Sequence, residues 1–146
     1  MSSLRTVFAP CALLALAPLG CAADTPPAQP VQVMTTSAQM PTGVGTVAAV
    51  AKPDGNTSLD VHISNLAPPE SAAPDATVYV VWVKPPRRPI ESVGTLALTP
   101  NQDGVLHTET AYDRFEVMVT PEPNSRVDRP SHDPVMTTVV ERMSQP

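Results

Sequence analysis

Cysteine is nearly absent: there are two in 146 residues, Cys11 and Cys21, both within the first 21 positions. A chain processed near Cys21 could hold no internal disulfide, although exported proteins often use them. Glycine is scarce at 6, which excludes collagen and glycine-rich repeats. Only five residues are aromatic, one Trp, two Tyr and two Phe, so a core must be mostly aliphatic. No stretch approaches the roughly 18 to 20 consecutive apolar residues of a membrane-spanning helix. Positive charge is short as well, with 9 Lys+Arg against 14 Asp+Glu and a net charge of −5. That balance argues against a nucleic-acid binder, which normally shows a basic patch. Proline is abundant at 19, and apolar residues make up 42% of the chain, too many for full disorder. The length is that of one domain.

The N-terminus reads as an export signal. One cation, Arg5, precedes an apolar run of 13 residues, Val7 to Leu19. That is a positive n-region and an h-region of signal-peptide length. Pro10 and Pro18 interrupt it, and proline breaks a helix interior by removing a donor and clashing with the preceding turn. The run ends in Pro18-Leu19-Gly20-Cys21. A small residue followed by Cys after an h-region resembles a bacterial lipobox, although Pro18 and Leu19 depart from the usual Leu and small residue at those positions. The resemblance implies cleavage before Cys21 and acylation of its thiol and new amine. Several chains on one residue exceed the two signals that stable anchoring needs. The alternative is a plain secretory signal cut near Ala22 or Ala23. Residues 1–20 are thus expected to be a lipoprotein signal peptide and Cys21 the lipidated residue. Removing 1–20 leaves 126 residues with 8 positive and 14 negative side chains, a net charge of −6.

Residues 22–42 are rich in Pro, Ala, Thr and Gln and carry neither a helical nor a strand period. With Cys21 they are expected to form a tether over 21–42. An irregular first strand near Val31 to Met34 is the alternative. From Gly43 short β-branched runs alternate with turn clusters, the signal of strands. Strands are predicted over 43–51, 57–66, 77–84, 92–99, 105–110, 114–120 and 135–141. Leu59, Val61 and Ile63 alternate with Asp60, His62 and Ser64, the period of a half-buried strand. Thr77 to Lys84 is apolar on both faces, as a central strand would be. Lys52-Pro53-Asp54-Gly55 and Pro85-Pro86-Arg87-Arg88-Pro89 read as turns. The pattern predicts an all-β, antiparallel β-sandwich of about seven strands, immunoglobulin-like, over 43–146. Trp82, Phe115 and the Val, Ile and Leu set are its expected core. At about 100 residues it is expected to fold alone, without metal, cofactor or disulfide.

The order Val78-Tyr79-Val80-Val81-Trp82-Val83, Ser92-Val93-Gly94, Asp103-Gly104 and Phe115-Glu116-Val117-Met118-Val119-Thr120-Pro121-Glu122-Pro123 is informative. It resembles the extracytoplasmic C-terminal domain of anti-sigma-K-type factors over about residues 43–141. That family carries a Tyr-x-x-Trp strand, a Ser-x-Gly strand, an Asp/Asn-Gly turn and a Phe-x-Val-Thr-x-Glu-Pro strand end. The resemblance implies a β-sandwich in an extracytoplasmic setting, with no catalytic residues to carry over. The family's sigma-binding domain and transmembrane helix have no counterpart here, so sigma-factor binding is not implied. Asn124-Ser125-Arg126 stands where a Gly-Gly turn often follows Glu-Pro.

Candidate chemistry is sparse. His62, His107 and His132 are spread through the chain with no His-x-His or His-Glu-x-x-His spacing, so each is expected to be a surface histidine rather than a zinc ligand. Ser131-His132-Asp133 is the right composition for a nucleophilic triad, but neighbours in an extended chain point apart, and triads are recognised by geometry. There is no Gly-x-Ser-x-Gly elbow and no phosphate loop. Asn56-Thr57-Ser58 matches a glycosylation sequon by chance. Arg87 and Arg88 are the most localised positive feature; they suit an anionic partner or lipid head group, or simply a solvated loop at a sheet end.

The sequence therefore predicts a non-enzymatic envelope lipoprotein, a monomer held to the membrane by its lipid anchor on the extracytoplasmic side. Its sandwich would serve as an interaction or sensing module for a protein partner in the envelope. It needs no cofactor, metal or nucleic acid. The alternative is a small-molecule-binding or hydrolytic envelope protein whose site is hidden in the sequence.

Overall fold

The computed structural model describes residues 30–38 and 40–142. The expected signal segment, Cys21 and the first part of the expected tether lie outside them. Ten strands alternate with short turns: β1 (Val31–Val33), β2 (Thr35–Thr36), β3 (Val44–Ala51), β4 (Thr57–Ser64), β5 (Val78–Lys84), β6 (Glu91–Thr95), β7 (Ala97–Leu98), β8 (Gly104–Thr110), β9 (Arg114–Glu122) and β10 (Met136–Glu141). One helical turn, α1 (Pro69–Ala72), interrupts the proline-rich loop after β4.

Turn chemistry explains the hairpins. Between β3 and β4, Gly55 adopts φ +89°, and Asp54 Oδ1 accepts the Asn56 N–H at 3.0 Å. Glycine reaches positive φ without a Cβ clash, and an Asp side chain closes such a turn on its own backbone. After β5, the Arg88 N–H donates to Pro85 O at 3.3 Å, with Pro86 and Arg87 between them. Arg87 has φ +59°, so a proline followed by a left-handed residue gives the type II pattern.

All strand pairs are antiparallel, and they form two five-stranded sheets in the orders β1-β3-β4-β8-β7 and β2-β10-β9-β5-β6. Without the two short N-terminal strands, β3-β4-β8-β7 and β10-β9-β5-β6 are the A-B-E-D and G-F-C-C′ sheets of an immunoglobulin-like sandwich. The predicted strand over 92–99 is in fact two strands, β6 on one sheet and β7 on the other. The change of sheet follows Gly94, at φ +148°, and a register shift opposite Val81 and Trp82. A glycine and a bulge are what let a strand turn a corner.

The inter-sheet core is aliphatic, as the composition requires. Leu59, Val61 and Ile63 of β4 face Tyr79, Val81 and Val83 of β5 and Phe115, Val117 and Val119 of β9, each no more than 1% exposed. Two expectations need correction. Residues 31–42 are not a free tether. β1 pairs with β3 and β2 with β10, and Met34 and Met40 are buried in the core. The segment has no strand period because it is split between two sheets after two or three residues on each. Trp82 is fully buried but does not belong to the inter-sheet core. It lies with Val80 on the opposite face of β5, across from Met118 and Thr120 of β9. The apolar character of both faces of β5 was real, and the second face is covered by loop rather than by sheet.

The two tyrosines provide a pH test of this packing. The Tyr79 hydroxyl donates to Ala67 O at 2.8 Å, and burial, with a smaller contribution from Glu70, pushes its phenol up to about 12. The Tyr112 hydroxyl donates to Glu91 Oε1 at 2.6 Å, a bond that raises its phenol above the ordinary value. A raised folded value favours the neutral form in the native state. This stability is present below about pH 10 and is lost as pH rises from about 10 toward 12. Tyr79 should therefore stay un-ionised in the native protein at pH 10, and its share of the tyrosinate absorbance should appear together with loss of structure. Titration of both tyrosines before unfolding would contradict the burial of Tyr79.

Candidate functional site

The covered face of β5 and β9 holds the densest polar cluster among the described residues. Strand alternation puts Thr120 and Glu122 on the Trp82 side of β9. Glu122 is fully buried, and carboxylates rarely are unless paired or hydrogen-bonded. Its donors are present. The Thr120 hydroxyl donates to Oε1 at 2.6 Å, and the Ser131 N–H donates to Oε1 and Oε2 at 3.0 and 3.2 Å. The Ser131 hydroxyl also donates to Oε2. Behind Thr120, the Trp82 indole N–H donates to its hydroxyl oxygen at 2.8 Å. The chain of bonds from Trp82 through Thr120 and Glu122 to Ser131 fastens the long β9–β10 loop over the sheet face.

His132 extends this network. Its Nδ1 is 3.1 Å from Ser131 Oγ and 3.9 Å from Glu122 Oε2, and its Nε2 is 2.9 Å from Asp75 Oδ1. The expectation that Ser131 and His132 point apart is therefore wrong. They lie in a bend rather than an extended strand, and the bend turns both inward. The acidic member is Asp75, from the loop after α1, and not the neighbouring Asp133. Beside them is a hollow of about 380 Å³ lined by Ala72, Pro121, Pro130, Ser131, His132 and Asp133.

A nucleophilic serine must pass its proton to the imidazole. Here Ser131 Oγ meets both Glu122 Oε2 and His132 Nδ1, and His132 Nε2 in turn faces Asp75 Oδ1. The Ser131 backbone N–H and hydroxyl together tie the β9–β10 loop to Glu122.

The remaining sites are dispersed. His62 and His107 are on the exposed face of the β4–β8 pair, as expected, and His107 Nδ1 sits 2.5 Å from Asp60 Oδ1 across the strands. Among the described residues no three His, Cys, Asp or Glu side chains converge as metal ligands. Asn56 lies in the β3–β4 turn, and Thr57 beside it is buried with its hydroxyl donating to Tyr112 O at 2.7 Å. Arg87 and Arg88 are exposed at the far end of the sandwich from Glu122, and Arg88 lies over the Tyr112 ring, 5.8 Å from its centre. Cys21 lies outside the described residues.

Sequence reasoning missed Glu122, Thr120 and Asp75. The signal for Glu122 was its place between Pro121 and Pro123 in an otherwise apolar strand end. Asp75 left no signal, because 56 positions separate it from Ser131. No known protein family, curated protein or solved structure matches this chain.

Proposed function

We propose that this chain is a lipid-anchored envelope protein whose immunoglobulin-like sandwich works as a non-enzymatic interaction or sensing module on the extracytoplasmic side. The observation that carries the reading is Gly20-Cys21 at the end of a short apolar run, with no other cysteine after it. The similarity of the strand motifs to the extracytoplasmic domain of anti-sigma-K-type factors supports the setting and the non-catalytic role. The contacts of Ser131 with Glu122 suit a loop-fastening role as well. The second reading, a small-ligand or hydrolytic protein, draws on the hollow beside Ser131 and His132. Cys21→Ser is expected to move the protein from the detergent phase to the aqueous phase and to remove acyl chains from its mass. Continued detergent partition of the Cys21→Ser chain would show that something else holds it.

A further inference from the structure

Strand direction places the entry of the chain and its free cations at one end of the sandwich. β1 begins with Val31 opposite Ala48 and runs away from the end of β3, so Pro30 leads out toward the β3–β4 turn. The β8–β9 connection lies at that same end. The Arg142 guanidinium donates to Gly55 O at 2.8 Å, and its backbone N–H donates to Asp113 O at 2.7 Å. The β5–β6 turn joins them through Arg88 over Tyr112 and the Tyr112–Glu91 bond.

At this end a hollow of about 440 Å³ is lined by Lys84, Arg87, Arg88 and Arg114, with Phe115, Val139 and one acid, Glu116, among its other walls. The four cations are exposed, and among the described residues none has a carboxylate within 4.0 Å. Val139 is 61% exposed, so the wall between the charges is apolar. The opposite end is the more acidic: Glu70, Asp75, Asp103, Asp128 and Asp133, with the buried Glu122, lie there against Arg126 and Arg129, whereas at the entry end Asp54, Glu91, Glu109, Asp113, Glu116 and Glu141 are matched by Lys52, Lys84, Arg87, Arg88, Arg114 and Arg142. A chain with net charge −5 thus gathers four of its nine Lys and Arg residues around one hollow.

We propose that this hollow seats the sandwich, entry end first, on an anionic lipid surface. The proposal rests on the lipid-anchor reading of Cys21. Fully extended, the chain from Cys21 to Pro30 spans at most about 30 Å, at roughly 3.3–3.6 Å per residue. An anchored domain is then held within reach of the bilayer, and its entry end is the one drawn closest. A negative surface potential acts over about 10 Å, and each Lys or Arg near it contributes about fivefold in partition. The anchor raises the local concentration of the domain, so weak contacts suffice to orient it. The acidic end is repelled by the same field.

The test is flotation of the chain from residue 21 onward carrying Cys21→Ser, which lacks both the apolar run Val7 to Leu19 and the acyl site, with vesicles of phosphatidylcholine alone or with about one third phosphatidylglycerol, at low ionic strength. Two double variants change the net charge equally. Arg87→Glu with Arg88→Glu is at the hollow; Arg126→Glu with Arg129→Glu is at the other end. The hollow variant should lower partition onto the anionic vesicles by at least about thirtyfold, and the other by less than about threefold. Circular dichroism of both variants checks that the sandwich is intact. Equal loss in the two variants would mean that net charge alone matters, and equal binding of the parent chain to the two vesicle types would also overturn the proposal. Failure of the anchor reading would show separately, as native protein whose mass lacks acyl chains.

Discussion

A chain shortened to residues 43–146 should lose its cooperative thermal transition, and a chain of residues 30–146 should keep it. The shorter chain lacks β1, β2, Met34 and Met40. Truncating a buried methionine costs about 2–5 kcal/mol, and two are removed together. A domain's whole stability is only about 5–15 kcal/mol. The backbone loss adds to this, because β3 and β10 become bare edges. Met34 also packs closely against the backbone of β3. A Cβ on Gly45 would stand 2.7 Å from Met136 Sδ and 3.0 Å from Met34 Sδ, so the glycine backbone and the methionine tips are fitted to one another. Melts of the two chains, followed by circular dichroism, make the comparison. Similar melting points would show that the two short strands are dispensable.

Trp82→Ala should destabilise the protein by about 3–5 kcal/mol, the cost of deleting a large buried aromatic. Two losses combine. The indole leaves a cavity on the covered face of β5, and its N–H bond to Thr120 disappears. Thr120 continues to donate to Glu122, so the carboxylate keeps its other donors. Trp82→Phe should retain most of the packing and lose about 0.5–1.5 kcal/mol with the hydrogen bond. Because Trp82 is the sole tryptophan, native emission should be blue-shifted and resist acrylamide. Emission near that of free tryptophan would contradict its burial.

Much of the architecture follows from local rules. The alternation in Thr57 to Ser64, the Pro-Asp-Gly turn and the doubly apolar run at Thr77 to Lys84 each predict their element, and the strands from Val44 onward lie where the pattern puts them except at 92–99, which is split between the two sheets. Such signals are readable because a half-buried strand must alternate and a tight turn must supply an unusual φ. The lipobox-like end at Cys21 is likewise a property of a short contiguous string.

Other features depended on long-range packing. Val31 to Thr36 has too few residues on either sheet to show a period, so only pairing with β3 and β10 makes it strand. The break at Leu96 needed both sheets to be in place, since its N–H donates to Tyr79 O before the chain joins β8. Trp82 was legible as buried, but which face it occupied depended on the register of β5 against β9 and on the loop over it. The polar network shows the division most plainly. Asp75 meets His132 across 57 positions, and Ser131 meets Glu122 because the loop folds back on its own strand. Local sequence determined most of the strands from Val44 onward and the turns, because backbone conformation and burial alternation are set by neighbours. Tertiary structure alone decided the partners of Glu122 and the gathering of Lys84, Arg87, Arg88 and Arg114, because those depend on which strand ends the topology brings to the same side.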